Sequence, residues 1–85
     1  MQQMLVRYSI ADYSGFKTAF DADAEDRANN SLGLLQLWRE GGNAAWALFS
    51  VRDAEQARAY LSGAATVFNT QAGVSQTEVY LLETA

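Results

Sequence analysis

Apolar and polar positions along the chain predict six elements, in the order strand, helix, strand, strand, helix, strand. Residues 4–10 form a strand whose first face carries Met4, Val6, Tyr8 and Ile10. Residues 32–40 and 44–52 flank Gly41-Gly42-Asn43, a sequence that favours a tight reversal, and together they predict a β-hairpin. Residues 77–83 form the last predicted strand.

The first predicted helix has apolar residues at steps of three and four, namely Tyr13, Phe16, Phe20, Ala24 and Ala28. Asp12 is placed to cap the free amide hydrogens of its first turn, and Asn29-Asn30 is placed to end it in a left-handed conformation. On the outer side we expect two i,i+4 ion pairs, Lys17–Asp21 and Asp23–Arg27.

The second predicted helix covers residues 54–72, with an apolar stripe of Ala57, Leu61, Ala64 or Ala65, Phe68 and Ala72. Asp53 and Gln56 resemble a capping box at its start, and Gly73 ends it. A break is expected at Ser62-Gly63, because an uninterrupted helix would be about 28 Å long whereas the strands span about 23–26 Å.

This order of elements predicts an α+β, ferredoxin-like β-α-β-β-α-β fold with a four-stranded antiparallel sheet and two helices on one face. The usual arrangement places the first and third strands in the centre. The length of 85 residues fits one domain, residues 1–85.

The predicted strands are apolar on both faces. If Glu40 pairs with Asn43, Trp38 lies on the face of Phe49, and the opposite face carries Leu35, Leu37, Trp46 and Leu48. The last strand has Val79 and Leu81 on one side and Tyr80 and Leu82 on the other.

Two helices cover one face only, and a bare second face would expose several hundred Å² of apolar surface. We therefore expect a homodimer in which two sheets pack face to face, a dimeric α/β barrel. The alternative is a monomer whose open face binds a ligand or another protein.

Composition narrows the possible chemistry. The chain has no Cys and no His, which excludes thiolate and imidazole metal ligands and a histidine-based catalytic pair. The acidic run at residues 21–26 lacks the glycine and glutamate spacing of a calcium loop, so we expect no metal and no cofactor. A net charge of −4 disfavours nucleic acid and anionic membranes as partners. The N-terminus lacks the pattern of a signal peptide, and a cytoplasmic location is expected.

Three segments together resemble a known superfamily: Val6-Arg7-Tyr8 with residues 12–17 and Phe20-Asp21, residues 53–60, and Ala72-Gly73-Val74 leading to residues 78–80. They are similar to the dimeric α/β-barrel proteins, which include the antibiotic-biosynthesis-monooxygenase-like domains. The resemblance implies a ferredoxin-like fold and dimerisation. Its members include cofactor-free oxygenases, haem-processing enzymes, isomerases and proteins of unknown role. Relatives often carry histidine where this chain has Tyr8, so no histidine-dependent activity is carried over.

The candidate ligand-binding residues are two arginines, four aromatic residues and one amide: Arg7, Arg39, Tyr8, Trp38, Trp46, Tyr80 and Asn69. The arginines could hold a carboxylate or phenolate, or else form ion pairs with Glu78 or Glu83. The aromatic residues could line a pocket for a planar ligand, or else pack in the core or the dimer interface. Asn69 could hydrogen-bond an oxyanion or face water.

Three functions remain open at this point. The preferred one is a homodimer that binds a small apolar or aromatic molecule between the sheet and the helices. The second is a cofactor-independent monooxygenase or isomerase that stabilises an enolate or phenolate. The third is a purely structural or protein-interaction module.

Overall fold

The elements observed along the chain are β1 (Gln2–Ile10), α1 (Tyr13–Ala22), α2 (Ala24–Asn29), β2 (Leu32–Glu40), β3 (Ala44–Val51), α3 (Ala54–Ser62), α4 (Ala65–Ala72) and β4 (Val74–Glu83). They come from a computed structural model that describes residues 2–85. The strands pair antiparallel in the order β2-β3-β1-β4, with β1 and β3 in the centre. The predicted α+β, ferredoxin-like fold is confirmed. No helix in residues 2–85 is long and apolar enough to cross a membrane.

The core lies between one face of the sheet and the helices. Met4, Val6, Tyr8 and Ile10 are all buried on this face, as the alternation of β1 predicts. An aromatic cluster fills the centre, where the Tyr8 ring centroid lies 5.1 Å from that of Phe16 and 6.3 Å from that of Phe68. Such ring pairs add about 0.5–1.5 kcal/mol each to the stabilisation from burial, and they anchor the helices on the sheet.

The first predicted helix is broken at Asp23, and the break was not predicted. The Asp23 amide bonds back to the carbonyls of Ala19 and Phe20, and a second helix begins at Ala24. The break changes the helical phase, so Ala24 and Ala28 are exposed instead of lying on the apolar stripe. Arg27, in contrast, is buried.

Of the two predicted i,i+4 ion pairs, one is present and one is wrong. The Lys17 ammonium lies 2.5 Å from Asp21. Asp23 and Arg27 do not form the expected exposed pair, because Arg27 points into the protein after the break.

The predicted helix ends are confirmed in most details. Asp12 accepts a hydrogen bond from the Gly15 amide at 2.7 Å, and Asp53 accepts hydrogen bonds from the amides of the first turn of α3. The second helix breaks after Ser62 as expected, and Gly73 is left-handed at φ 71°.

Two details of these ends differ from the prediction. The Gln56 side chain completes no capping box, because its carbonyl oxygen accepts from the Ser31 hydroxyl at 2.5 Å. The left-handed residue after the first helical segment is Ser31, with φ 72°, and not Asn29 or Asn30.

The hairpin register differs from the prediction. Glu40 pairs with Ala44, so Gly41-Gly42-Asn43 forms the whole loop, and β2 contains a bulge at Leu35. Trp38 therefore lies opposite Trp46 on the face away from the helices, and the expected placement of Trp38 beside Phe49 is wrong. Leu37, which was predicted on the face opposite to Phe49, instead lies on the helix side of the sheet and packs against the core.

Candidate functional site

A narrow cleft lies between the sheet and the helices, where α2, α3 and α4 meet β1. Its lining includes Tyr8, Asp23, Arg27, Tyr60, Phe68 and Asn69. The enclosed space is about 10 Å³, which is the room that one oxygen atom needs. The cleft therefore joins charged and polar side chains in a confined space.

Arg27 is the most unusual of these side chains. It is only 5% exposed, and its guanidinium carbon lies 3.6 Å from the centroid of the Phe20 ring. Its Nη1 is the only buried side-chain nitrogen or oxygen in the described part of the chain without a hydrogen-bond partner. Burial lowers the pKa of Arg27, while Tyr8 and Asp23 act in the opposite direction. A guanidinium stays charged in proteins, so the cleft holds an incompletely satisfied positive charge.

The neighbouring side chains differ in whether their polar atoms have a hydrogen-bond partner. The Tyr60 hydroxyl donates to Asp23 at 2.6 Å, which occupies one carboxylate oxygen. The Tyr8 hydroxyl and the Asn69 amide make no side-chain hydrogen bond within residues 2–85. Burial raises the pKa of Tyr8, so its phenol keeps its proton and remains a hydrogen-bond donor.

Two larger grooves adjoin the cleft. The first, which we call the apolar groove, is lined by Arg58, Leu61, Ser62, Thr77 and Val79 and has a volume of about 370 Å³. It shares Leu61 and Thr77 with the cleft. The second, which we call the acidic groove, includes Asp23, Asp26, Val67 and Gln71 and has a volume of about 330 Å³. Because each groove shares residues with the cleft, either could hold the body of a ligand whose end enters the cleft.

The sheet face away from the helices, which we call the open face, carries a second group of side chains. Its larger members are Leu5, Arg7, Trp38, Trp46, Leu48, Tyr80 and Leu82. Trp38 is 45% exposed, Tyr80 46% and Leu82 42%. This face is therefore largely apolar and has no cover from the protein's own helices.

Three polar groups of the open face, on Arg7, Trp46 and Glu40, are paired with one another. Arg7 Nε lies 3.2 Å from a Glu40 carboxylate oxygen, and the Trp46 indole N–H donates to the same oxygen at 2.7 Å. The hydrogen bonds from Trp46 and Arg7 lower the pKa of Glu40. Because these groups satisfy each other, the face can lose water with little loss of hydrogen bonding.

Comparison with solved structures shows the same fold in proteins of low sequence identity. SnoaB, a cofactor-independent oxygenase from Streptomyces nogalater, is 19% identical with a TM-score of 0.72, over 99% of this chain and 92% of SnoaB. A NIPSNAP domain protein from Burkholderia xenovorans is 14% identical with a TM-score of 0.68, over 100% and 95%. A NIPSNAP family protein of unknown function from Agrobacterium tumefaciens is 13% identical with a TM-score of 0.72, over 100% and 88%.

The chain has the ferredoxin-like fold of these solved structures. The resemblance stated from the sequence is thus confirmed at the level of fold. No protein-family model and no curated protein sequence matches the chain. At these identities the likeness establishes the architecture, and the function has to be argued from the side chains.

Within this ferredoxin-like fold, the sequence-predicted residues fall into separate groups. Tyr8 and Asn69 lie in the cleft, whereas Arg7, Trp38, Trp46 and Tyr80 lie on the open face. Arg7 forms an ion pair, as its alternative interpretation predicts, but the partner is Glu40 and not Glu78 or Glu83.

Arg39 belongs to neither group. It donates to the Gly41 carbonyl at 3.0 Å, and its guanidinium lies 4.9 Å from the centroid of the Tyr13 ring. These contacts hold Arg39 at the hairpin end of the sheet, away from the residues that line the cleft.

Sequence reasoning missed Asp23, Arg27 and Tyr60, which complete the cleft. Arg27 and Asp23 match the pattern of an exposed i,i+4 pair. One signal was available: Arg27 follows Phe20 by seven residues, a spacing that places it on the buried face of a continuing helix. Tyr60 gave a similar signal, because it directly precedes Leu61, a residue of the predicted apolar stripe.

Proposed function

We propose that the protein is a homodimer that binds a small apolar or aromatic molecule between the sheet and the helices. The observation that carries this proposal is the cleft itself. Arg27, Tyr8 and Asn69 bring hydrogen-bonding groups without protein partners into one confined space. Buried polar groups in native proteins are nearly always satisfied, and a protein that leaves a buried charged group such as Arg27 without a partner for one of its nitrogens has a reason other than stability.

The apolar groove supplies the volume that the cleft lacks. Its 370 Å³ falls within the usual range for small-molecule sites, about 300–1,000 Å³. Leu61 and Val79 offer an apolar surface, and a few polar groups lie at one end. This combination of an apolar lining and a few convergent polar groups is typical of ligand pockets.

Blocking the apolar groove tests the binding site. Val79 is exposed on the edge strand, so Val79→Trp adds bulk to the groove with little disturbance of the core. We expect the wild-type protein to bind members of a set of aromatic and aliphatic fragments, with NMR shifts at the amides of Tyr8, Leu61 and Asn69. The Val79→Trp variant is expected to lose about tenfold or more in affinity.

Val67→Trp is the matched control, because Val67 is exposed on α4 and lines the acidic groove instead. Its affinity is expected to stay within about twofold of the wild type. If Val67→Trp abolishes binding and Val79→Trp does not, the ligand body lies in the acidic groove. If no fragment shifts the cleft residues, the proposed function is wrong.

The open face supports the homodimer. Two such faces packed together would remove on the order of 800 Å² from water on each partner, which is the size of a stable interface. The pairing of Arg7 and Trp46 with Glu40 means that burial leaves few charged groups unsatisfied. A two-fold interface needs only one self-complementary patch, and this face is the apolar candidate.

A second candidate function is a cofactor-independent oxygenase, favoured by the similarity of the fold to that of SnoaB. In this case an acidic aromatic substrate, bound as its phenolate or enolate beside Arg27, would itself supply the electrons that reduce dioxygen. Oxygen consumption with a quinol-like substrate tests this function. Turnover that Arg27→Met abolishes would establish an enzyme, and binding without oxygen consumption would leave the protein as a binder.

A further inference from the structure

The cleft contains hydrogen-bond donors that have no acceptor in the protein. The Arg27 guanidinium and the Tyr8 phenol both carry hydrogens that no side chain in the cleft accepts, and the Asn69 amide can add another donor. The one carboxylate in the cleft, Asp23, already accepts from Tyr60. An anionic oxygen placed in this space would receive several charge-assisted hydrogen bonds.

We propose that the ligand is an amphipathic monocarboxylate, with one carboxylate oxygen beside Arg27 in the cleft and its apolar body in the apolar groove. This inference rests on the proposed binding function and adds the chemical class of the ligand. The space of about 10 Å³ admits a single oxygen atom and little more. The rest of the molecule must therefore lie outside the cleft.

The charge in the cleft selects among anions. A carboxylic acid has an ordinary pKa of about 4 and is ionised at neutral pH, whereas a phenol has an ordinary pKa of about 10 and is neutral. A phosphate monoester carries close to two negative charges. Arg27 supplies one positive charge, and the nearby Asp23 offsets part of it. A single negative charge matches this balance, and a double charge exceeds it.

Charge also selects the groove that holds the apolar body. The acidic groove places Asp23 and Asp26 along the approach, and both would repel a carboxylate. The apolar groove contributes Arg58 and has no carboxylate among its lining residues. It also shares Leu61 and Thr77 with the cleft. The ligand therefore enters from the side of the apolar groove.

Two matched pairs of probes test this inference: 1-naphthoate with 1-naphthamide, and octanoate with octanamide. Each amide has nearly the shape of its acid but no charge. We expect the wild-type protein to bind each acid about tenfold or more tightly than its amide, as measured by NMR titration. Arg27→Met keeps an unbranched side chain of similar length and is expected to reduce this preference to below about twofold.

Lys17→Met is the control for net charge. Lys17 lies on the surface of α1 in an ion pair with Asp21, and its replacement removes the same one positive charge. The preference for the acids is expected to persist in this variant. Equal binding of acid and amide by the wild-type protein, or a preference that survives in Arg27→Met, would overturn the carboxylate inference and leave the proposed function standing. If none of the four probes binds, both are wrong.

A measurement on the wild-type protein keeps the inference testable if Arg27→Met does not fold. On addition of 1-naphthoate, the largest amide shifts are expected at Tyr8, Arg27 and Asn69. Shifts confined to Leu48 and Tyr80 would place the probe on the open face and overturn the inference.

Discussion

Arg27 has an environment that stability alone does not explain. A buried donor without a partner costs about 1–3 kcal/mol, and a charged one costs more. The contact with the Phe20 ring, at 3.6 Å, returns about 0.5–2 kcal/mol of this cost. A methionine of similar shape would fill the position without that cost. The proposed carboxylate ligand would supply the hydrogen-bond acceptor that Arg27 lacks.

Tyr8 lies beside Arg27 and gives a prediction about pH. Burial raises the pKa of Tyr8 above its ordinary value of 10.0, so the folded protein keeps a proton that the unfolded chain loses. The free energy of unfolding is therefore unaffected by this group below about pH 10 and decreases above it, by about 1.4 kcal/mol per pH unit.

The variant Tyr8→Phe lacks this ionisation. We would measure the free energy of unfolding of both proteins by urea unfolding from about pH 8 to about pH 11, a range that spans the ordinary pKa of tyrosine. Above about pH 10, the free energy of unfolding of Tyr8→Phe is expected to decrease less steeply than that of the wild type. Identical slopes in the two proteins would show that Tyr8 does not hold its proton in the fold.

The candidate site was only partly predictable from single residues. Tyr8 and Asn69 were found because an aromatic residue on a strand and an amide beside Phe68 on a helix both face a sheet–helix boundary. Arg27 was missed because its spacing from Asp23 has a simpler surface explanation. The seven-residue spacing from Phe20 indicates a buried position, but a charged residue at such a position is more often exposed.

At the scale of elements, the pattern predicted strands, helices and their order well. Alternation in β1 and three-and-four spacing in α1 each depend on the local chain, and the structure confirms both. The break at Gly63 was also predictable, because glycine and helix length both point to it. The break at Asp23 has no glycine to mark it, and although aspartate is a poor helix former, the alanines and Glu25 around it favour a continuous helix.

The hairpin shows why register is harder to predict than the existence of strands. β2 is apolar on both faces between Leu32 and Leu37, so the side-chain pattern does not reveal which residue forms a bulge. The longer loop after Glu40 shifts the pairing of Trp38, whereas the bulge at Leu35 changes only the pairing of the residues before it in β2. The general feature, a sheet apolar on both sides, did not depend on register and is confirmed.

At the scale of the whole molecule, the open face is the feature on which the proposed homodimer rests. Leu48 lies near its centre, in register with Leu5 on β1. A carboxylate placed there by Leu48→Asp would be buried without a counter-charge in a sheet-to-sheet dimer, at a cost of several kcal/mol. We expect this variant to sediment as a single chain or to unfold. Val67→Asp, at an exposed position on α4, is the control and is expected to sediment as the wild type does.

Sedimentation equilibrium of the wild-type protein tests the homodimer most directly. The account predicts a mass of about twice the 9.3 kDa of one chain, because two open faces cover each other. A folded protein that sediments at 9.3 kDa over the whole micromolar concentration range would contradict it.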